Sequence, residues 1–159
     1  MPAVSTFASP IGDRWFEDYV AGAVHEFGPI LVDRSEIIDF AKKFDPQAMH
    51  VDPDAAARGL FGGLIASGWH TAGMMMRLVV DHYLSSVASV ASPGIDELRW
   101  KAPVRPGDEL KLRVTVLETR PSASKRDRGM VVSQLEAINQ RGEAVCSLRA
   151  MNLLLLRPR

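Results

Sequence analysis

The hydrophobic pattern along the chain changes once, near the middle, from helical spacing to strand alternation. Residues 24–32 form a first predicted strand, which Gly28-Pro29 interrupts. Asp33 then suits a helix N-cap, and Glu36 three positions later completes a capping-box pattern. The apolar stripe that follows at helical spacing comprises Ile37, Ile38, Phe40, Ala41 and Phe44. Pro46 ends this helix, because the residue before a proline is disfavoured in the α region.

Two further helices are predicted before the strands begin. Asp52 is a good cap, Pro53 suits the first helical position and Gly59 is a stop signal, so a short helix is expected between them. After a Gly62-Gly63 turn, a long helix is expected over about residues 66–84. Apolar residues lie nearly all round this helix, which is typical of a helix buried in the middle of its protein.

The second half of the chain is patterned as strands. Residues 95–104 are a first candidate, residues 110–116 alternate cleanly, and residues 130–139 and 144–156 follow. The turn signals between them are Pro106-Gly107-Asp108, the polar stretch 122–129 and Gln140-Arg141-Gly142. Long strands in meander order imply an antiparallel sheet. The predicted fold class is therefore α+β, with a largely antiparallel sheet wrapped around one long central helix.

The composition is that of one ordinary globular domain. The 159 residues fall within the usual size of a single domain, and no internal repeat or low-complexity linker divides them. We therefore expect one domain over residues 1–159, with its core over about residues 14–156. Hydrophobic residues make up 47% of the chain, which excludes intrinsic disorder.

Charge and cysteine content limit the partners and the compartment. Lys+Arg and Asp+Glu number 19 each, so the net charge of zero provides no long-range attraction to nucleic acid or to an anionic membrane. Cys146 is the single cysteine and cannot form an internal disulfide, which indicates a reducing compartment. The first ten residues lack the features of a signal peptide, and the longest apolar stretch is too polar for a membrane span. A cytoplasmic location is predicted.

Motifs for common cofactors and metals are missing from the sequence. The chain contains no GxGxxG or GxxxxGK[ST] phosphate loop, no CxxC pair and no HExxH motif. A GxSxG nucleophile elbow is also absent. Neither a metal site nor a phosphate-containing cofactor is therefore expected.

Asp45 and His50 lie five residues apart across the helix break at Pro46. The break lets both side chains turn toward one point, which a continuous helix at that spacing does not allow. A carboxylate beside an imidazole can perform general acid–base catalysis near neutral pH. From the spacing alone, the alternative is an ordinary helix-end carboxylate and a partly buried histidine.

Small residues open the predicted long helix, in the sequence Ile65-Ala66-Ser67-Gly68. Free backbone N–H groups at a helix start can stabilise a developing oxyanion. A glycine at position 68 would also let a substrate carbonyl approach the backbone closely. The alternative is that Gly68 lets the start of the helix pack against another segment.

The order of these features resembles the MaoC-like dehydratase family, which includes the R-specific enoyl-CoA hydratases and has the hot-dog fold. The resemblance covers about residues 14–152. Its most specific elements are the spacing of Asp45 and His50 and the glycine at the start of the long helix, Gly68.

The resemblance implies a hydro-lyase that reversibly hydrates a trans-2-enoyl thioester to a 3-hydroxyacyl thioester. Asp45 and His50 would activate one water, and the Gly68 N–H would stabilise charge on the thioester oxygen. The residues expected to contact the substrate are Gln47, Ser67 and His70. For His70, a buried histidine with its hydrogen bonds satisfied is an equal alternative. No metal or redox cofactor is implied, because the coenzyme A or acyl-carrier arm belongs to the substrate. Hot-dog domains generally pair, so a homodimer with its site at the interface is expected, alone or within a larger assembly of dimers.

The sequence departs from the family pattern D-x-N-P-x-H at two positions, where Gln47 replaces the Asn and Ala48 the Pro. These changes leave a non-catalytic acyl-CoA-binding or subunit-forming hot-dog protein as one alternative. A hot-dog acyl-CoA thioesterase is another. Three basic residues could contact the phosphates of coenzyme A or could be solvated surface charges, and they are left unassigned: Arg58, Lys101 and Arg105.

Overall fold

The computed structural model of the protein describes residues 2–159, and within them the chain forms an α+β domain of five strands and four α-helices. The strands are β1 Val24–Leu31, β2 Ser89–Trp100, β3 Glu109–Pro121, β4 Arg128–Ile138 and β5 Ala144–Leu155. The helices are α1 Arg34–Phe44, α2 Ala48–Val51, α3 Pro53–Arg58 and α4 Gly68–Leu78. Short 3-10 turns at Ile11–Asp13 and Phe16–Asp18 precede β1. The predicted α+β class is confirmed.

The strands form one sheet in the order β1-β3-β4-β5-β2, with every neighbouring pair antiparallel. Alternate side chains of β3 are fully buried, as the alternation over residues 110–116 predicted, and they are Leu110, Leu112, Val114 and Val116. Because side chains alternate between the two faces of a strand, one face of the sheet supplies the core. That face packs with buried side chains of α4, which are Met74, Met75 and Leu78.

Helix α4 differs from its prediction in length and burial. Ser67 caps it, and the α-helical part ends at Leu78, after which a π-helical turn continues over Val79–Tyr83. The outer face of α4 is exposed, with Trp69 59% and Met76 50% accessible in the single chain, and Val80 of the π-helical turn is 50% accessible. The prediction of burial on all sides was therefore wrong, because the sheet covers only one face. Within residues 2–159, no helix has the length and apolar character needed to cross a bilayer.

Strand β2 also differs from its prediction, since it covers Ser89–Trp100 and not residues 95–104. Nearly all its side chains are exposed, so the burial alternation that marks a strand in sequence is absent. Its pairing with β5 contains three register shifts, and Glu97 adopts a positive φ of 53°. These irregularities are typical of β-bulges in an edge strand.

The two edges of the sheet differ in whether another segment pairs with them. At the β1 edge, Val4 forms a parallel bridge with Val24, and the Ser5 N–H donates to the Val24 carbonyl at 2.6 Å. At the β2 edge, no strand among residues 2–159 lies beyond β2. The apolar side chains of Val90 and Ile95 are exposed on this open edge.

Candidate active site

Asp45 lies at the break between α1 and α2. It is the C-cap of α1, where its backbone N–H donates to the Ala41 carbonyl at 2.8 Å. Its φ and ψ of −151° and 67° turn the chain out of the helix directly before Pro46, as the proline rule predicts. The Gln47 N–H then donates to the Asp45 carbonyl at 2.8 Å, which fixes the reversal that leads into α2.

His50 is buried in the four-residue helix α2, and its ring is held by a hydrogen bond at Nδ1. Nδ1 lies 2.7 Å from the Ile65 carbonyl oxygen. Because a carbonyl can only accept, Nδ1 bears a proton, so in the neutral tautomer Nε2 presents a lone pair. Nε2 lies 3.4 Å from Asp45 Oδ2. The structure thus brings together the two side chains that the sequence paired.

Both oxygens of the Asp45 carboxylate accept hydrogen bonds. The Ser67 hydroxyl donates to Oδ2 at 2.7 Å, and the Gln47 side-chain amide donates to Oδ1 at 2.7 Å. The Ser67 hydrogen bond, followed by that from Gln47, lowers the pKa of Asp45, against a smaller opposing effect of burial. Asp45 is therefore a carboxylate at neutral pH.

Asp45 and His50 lie on the wall of a cavity of about 530 Å³. Gln47 and Gly68, two more residues predicted for the site, line the same cavity. Three aromatic residues contribute to its wall, namely Phe61, Trp69 and Trp100. Other lining residues are apolar, namely Met49, Ile65, Ala66, Ala102, Pro103, Val104 and Val145. A mainly apolar cavity with a few polar groups at one place suits a ligand with an apolar body.

Gly68 is the first residue of α4, and within residues 2–159 its N–H has no hydrogen-bond acceptor. It is thus one of the free donors expected at a helix start. The side of Gly68 where a Cβ would lie is not open to a substrate, since Trp100 occupies it: an added Cβ would lie 2.6 Å from indole Cδ2 and Nε1. The absence of a side chain at Gly68 accommodates an indole ring, which is the packing alternative raised from the sequence.

Ser67 and His70 do not line the cavity, although both were expected to contact the substrate. Ser67 is fully buried behind Asp45, with its hydroxyl engaged by that carboxylate. His70 points toward α1, where its ring stacks on Phe40 with centroids 4.9 Å apart. Burial lowers the pKa of His70, while Glu36 has a smaller opposite effect. The neutral imidazole is therefore a packing group in this position.

The three unassigned basic residues have separate environments. Lys101 lines the cavity. The Arg105 guanidinium donates to the Phe61 carbonyl at 2.7 Å and so holds the loop before α4. Arg58 ends helix α3 and does not line the cavity. Among residues 2–159, His, Cys, Asp and Glu side chains form no group of three or more that could bind a metal ion.

Trp100 and Thr71 line the cavity but were missed from the sequence. Thr71 follows Gly68 by three positions, so helical spacing could have placed it on the same face. Trp100 comes from β2, far from Gly68 in the chain. Its position depends on the pairing of β2 with β5, for which the sequence contains no local signal.

Fold and site together define a hot-dog domain with a candidate acid–base centre at the start of its central helix. The family model described as MaoC like domain matches residues 19–138. The chain belongs to the MaoC-like dehydratase family, as its sequence features predicted.

Similar proteins agree with this assignment. The solved structure of a MaoC-like dehydratase from Rhodospirillum rubrum has a TM-score of 0.84 and 42% identity, covering 92% of this chain and 99% of that one. The uncharacterized protein YdeM of Bacillus subtilis is 31% identical over 125 residues, which are 79% of this chain and 87% of the relative. The 3-hydroxybutyryl-CoA dehydratase of Methylorubrum extorquens is 29% identical over 138 residues, 82% of each chain. The predicted hot-dog fold is confirmed.

Proposed function

We propose that this protein reversibly hydrates a trans-2-enoyl thioester to a 3-hydroxyacyl thioester, with Asp45 and His50 as its acid–base pair. The observation that supports this best is the 3.4 Å approach of Asp45 Oδ2 to His50 Nε2 on the cavity wall. The family and the printed name of the Methylorubrum extorquens relative support dehydration as the reaction class. The apolar cavity suits an acyl chain.

The first task of the pair is to hold one water molecule. A carboxylate and a neutral Nε2 lone pair are both acceptors, so they do not satisfy each other. A water that donates one proton to each side chain would satisfy both and would direct its own lone pair outward. In hydration, its oxygen bonds to the β-carbon of the enoyl group while one proton passes to the pair. A proton delivered to the α-carbon then completes the addition.

The second task is to stabilise the negative charge that develops on the thioester oxygen as the β-carbon is attacked. Gly68 lines the same cavity and has a free N–H at the start of α4. A donor whose hydrogen bond to this oxygen becomes stronger in the transition state stabilises the transition state more than the bound substrate, and so lowers the activation barrier. Loss of one such donor typically costs about 2.7–4 kcal/mol in activation free energy. The chemistry as proposed requires no cofactor, since the coenzyme A or acyl-carrier arm is part of the substrate.

We also propose that the protein works as a homodimer. The open β2 edge lacks a neighbouring strand within residues 2–159, and exposed unpaired edges are usually covered in native proteins. Exposed large apolar side chains lie nearby, namely Trp69 and Met76 on the outer face of α4 and Val80 in the π-helical turn that follows it. Such apolar area is typical of an interface. A two-fold pair of identical chains is the commonest closed assembly.

The test of catalysis is the loss of absorbance of the conjugated enoyl thioester, measured with a chain-length series of trans-2-enoyl-CoAs. Asp45→Asn and His50→Ala are each expected to lower kcat/KM by roughly 10²–10⁴-fold, the usual contribution of a general acid or base. Asp39→Asn is a matched control for the carboxylate, since Asp39 is exposed on α1. His82→Ala is the control for the imidazole, since His82 is exposed at the end of the π-helical turn. Both controls should retain wild-type rates.

Three results would contradict the proposal. If the wild type hydrates no enoyl-CoA of any chain length, the proposal is wrong. If it releases thiol from saturated acyl-CoAs, and Asp45→Asn abolishes this release, the reaction is thioester hydrolysis and not hydration. Binding of acyl-CoA without turnover, unaffected by His50→Ala, would indicate a non-catalytic binding protein.

A further inference from the structure

Trp100 connects the end of the sheet to the start of the central helix. It is the last residue of β2 and pairs with Cys146 of β5, so its backbone is fixed in the ladder. Its indole Nε1–H donates to the Gly68 carbonyl at 2.8 Å. Gly68 is the first residue of α4, and the hydrogen bond therefore joins two elements that are distant in sequence.

The indole ring also fits against Gly68 where any other residue would have its Cβ. An added Cβ would lie 2.6 Å from Cδ2 and Nε1, closer than real Cβ contacts allow. The Trp100 ring also meets the Trp69 ring edge to face, with centroids 5.3 Å apart and planes at 77°. The first turn of α4 is thus held by a ring contact as well as by a hydrogen bond.

The same turn supports both halves of the proposed site. Ser67 donates to Asp45 Oδ2 at 2.7 Å and accepts from the Trp69 N–H at 3.3 Å. Gly68, the next residue, has the free N–H proposed to bind the thioester oxygen. A rotation of this turn would move the support of the acid and the oxyanion donor together. Displacements of about 1 Å in such groups can cost roughly 10²-fold in rate.

We propose that Trp100 is a positioning residue, whose indole N–H and ring fix the first turn of α4 so that the Gly68 amide and Asp45 keep their relative positions. The effect on rate rests on the hydration activity proposed above. The effect on the helix start does not, because it follows from the contacts of Trp100 alone. Trp100 acts through Gly68 and is not itself an acid, a base or a nucleophile.

Trp100→Phe separates the hydrogen bond from the ring, because phenylalanine keeps an aromatic ring and lacks the N–H. We expect kcat for enoyl-CoA hydration to fall roughly three- to tenfold, the equivalent of one net hydrogen bond, with KM changed less than about twofold. Trp15→Phe is the matched control, since it also removes an indole N–H that donates to an oxygen, that of Asp13 at 2.9 Å, but at a site away from the cavity. It should leave kcat unchanged. A rise in KM with unchanged kcat in Trp100→Phe would make Trp100 a wall of the cavity only and overturn the proposal.

Hydrogen exchange provides a readout that needs no substrate. In Trp100→Phe, the backbone amides of residues 67–72 should exchange faster than in the wild type, while amides of the β3–β4 ladder should not. In the wild type, the indole N–H of Trp100 donates to the Gly68 carbonyl, whereas that of Trp69 has no acceptor within residues 2–159, so the first should exchange more slowly. Because this comparison needs no variant, it tests the contact of Trp100 with the start of α4 even if Trp100→Phe does not fold.

The two proposals fail in different ways. A wild type without hydratase activity contradicts the function but leaves the exchange measurements to test the role of Trp100. An active wild type whose Trp100→Phe variant has unchanged kcat and unchanged exchange contradicts the positioning role and leaves the function intact. Equal exchange of the two indole N–H groups in the wild type also contradicts the positioning role.

Discussion

Asp45 shows how the ionisation of one residue is set by its neighbours. The hydroxyl of Ser67 and the amide of Gln47 lower its pKa more than His50 does. Gln47 stands where the family pattern has Asn and is one methylene longer, yet it reaches Oδ1 at 2.7 Å. The departure from the family pattern therefore preserves a donor to the acid, which favours the catalytic role over the non-catalytic alternative.

Ser67→Ala tests this account through the titration of the Asp45 carboxyl group, followed by NMR over a pH series. The depressed pKa keeps Asp45 ionised to lower pH, so in the wild type its carboxyl resonance should change only below the ordinary range of an aspartate. Removing the largest cause of the depression raises the pKa. The carboxyl resonance of Asp45 should therefore titrate at higher pH in Ser67→Ala than in the wild type.

Ser35→Ala is the control for this experiment. Ser35 also donates its hydroxyl to a carboxylate, that of Asp33, but at the exposed start of α1 and away from the cavity. Its removal should leave the titration of Asp45 unchanged. An Asp45 titration that stays fixed in Ser67→Ala would show that the Ser67 hydroxyl does not lower the pKa of this carboxyl group.

At the level of elements, local signals were predictable and long-range contacts were not. The starts of α1 and α3 were correctly predicted, because Asp33 and Asp52 cap them through nearby backbone N–H groups. The bounds of β2 were wrong, since an exposed edge strand has no burial alternation. The convergence of Asp45 and His50 follows from a helix break inside one short segment. The contact between Trp100 and Gly68 depends on the tertiary packing of β2 beside α4, which neither segment encodes alone.

Gly129→Ala tests how tightly the segment before β1 packs on the sheet. The Phe16 ring covers Gly129 of β4, where an added Cβ would lie 2.5 Å from Cζ and 2.7 Å from Cδ2. Phe16 belongs to the buried core, so its ring cannot move away without leaving a void. We expect a loss of about 1–3 kcal/mol in unfolding free energy, as is typical of overpacking. The midpoint temperature of thermal unfolding should fall by about 2–4 °C for each kcal/mol lost.

Gly12→Ala provides the comparison for that substitution. Gly12 lies in an exposed 3-10 turn, and its added Cβ would approach only Ser86 Oγ, at 4.0 Å. Its unfolding temperature should stay close to that of the wild type. Equal stability of the two variants would mean that the segment before β1 moves freely over the sheet.

For the whole molecule, the location of the hydrophobic residues indicates more about assembly than their total number does. In the sequence, the 47% of hydrophobic residues indicated only that the chain is not intrinsically disordered. The structure divides them between the buried sheet face and a second apolar surface on the outer face of α4, with the open β2 edge as a further exposed region. A single chain leaves this second surface in water, which is the reason for expecting a homodimer.

Met76→Lys tests whether the outer face of α4 is buried between two chains. Met76 is 50% exposed in one chain, so a lysine there is tolerated by the monomer. Burying two unpaired ammonium groups across a two-fold interface would cost several kcal/mol and weaken association by roughly a hundredfold or more. Sedimentation velocity over a dilution series should show a dimer for the wild type and a monomer for Met76→Lys.

Leu117→Lys is the control, because Leu117 lies on β3, is 44% exposed, and receives the same charge away from α4. This variant should remain a dimer. A monomeric wild type, or a Met76→Lys variant that remains dimeric, would exclude this face as the interface.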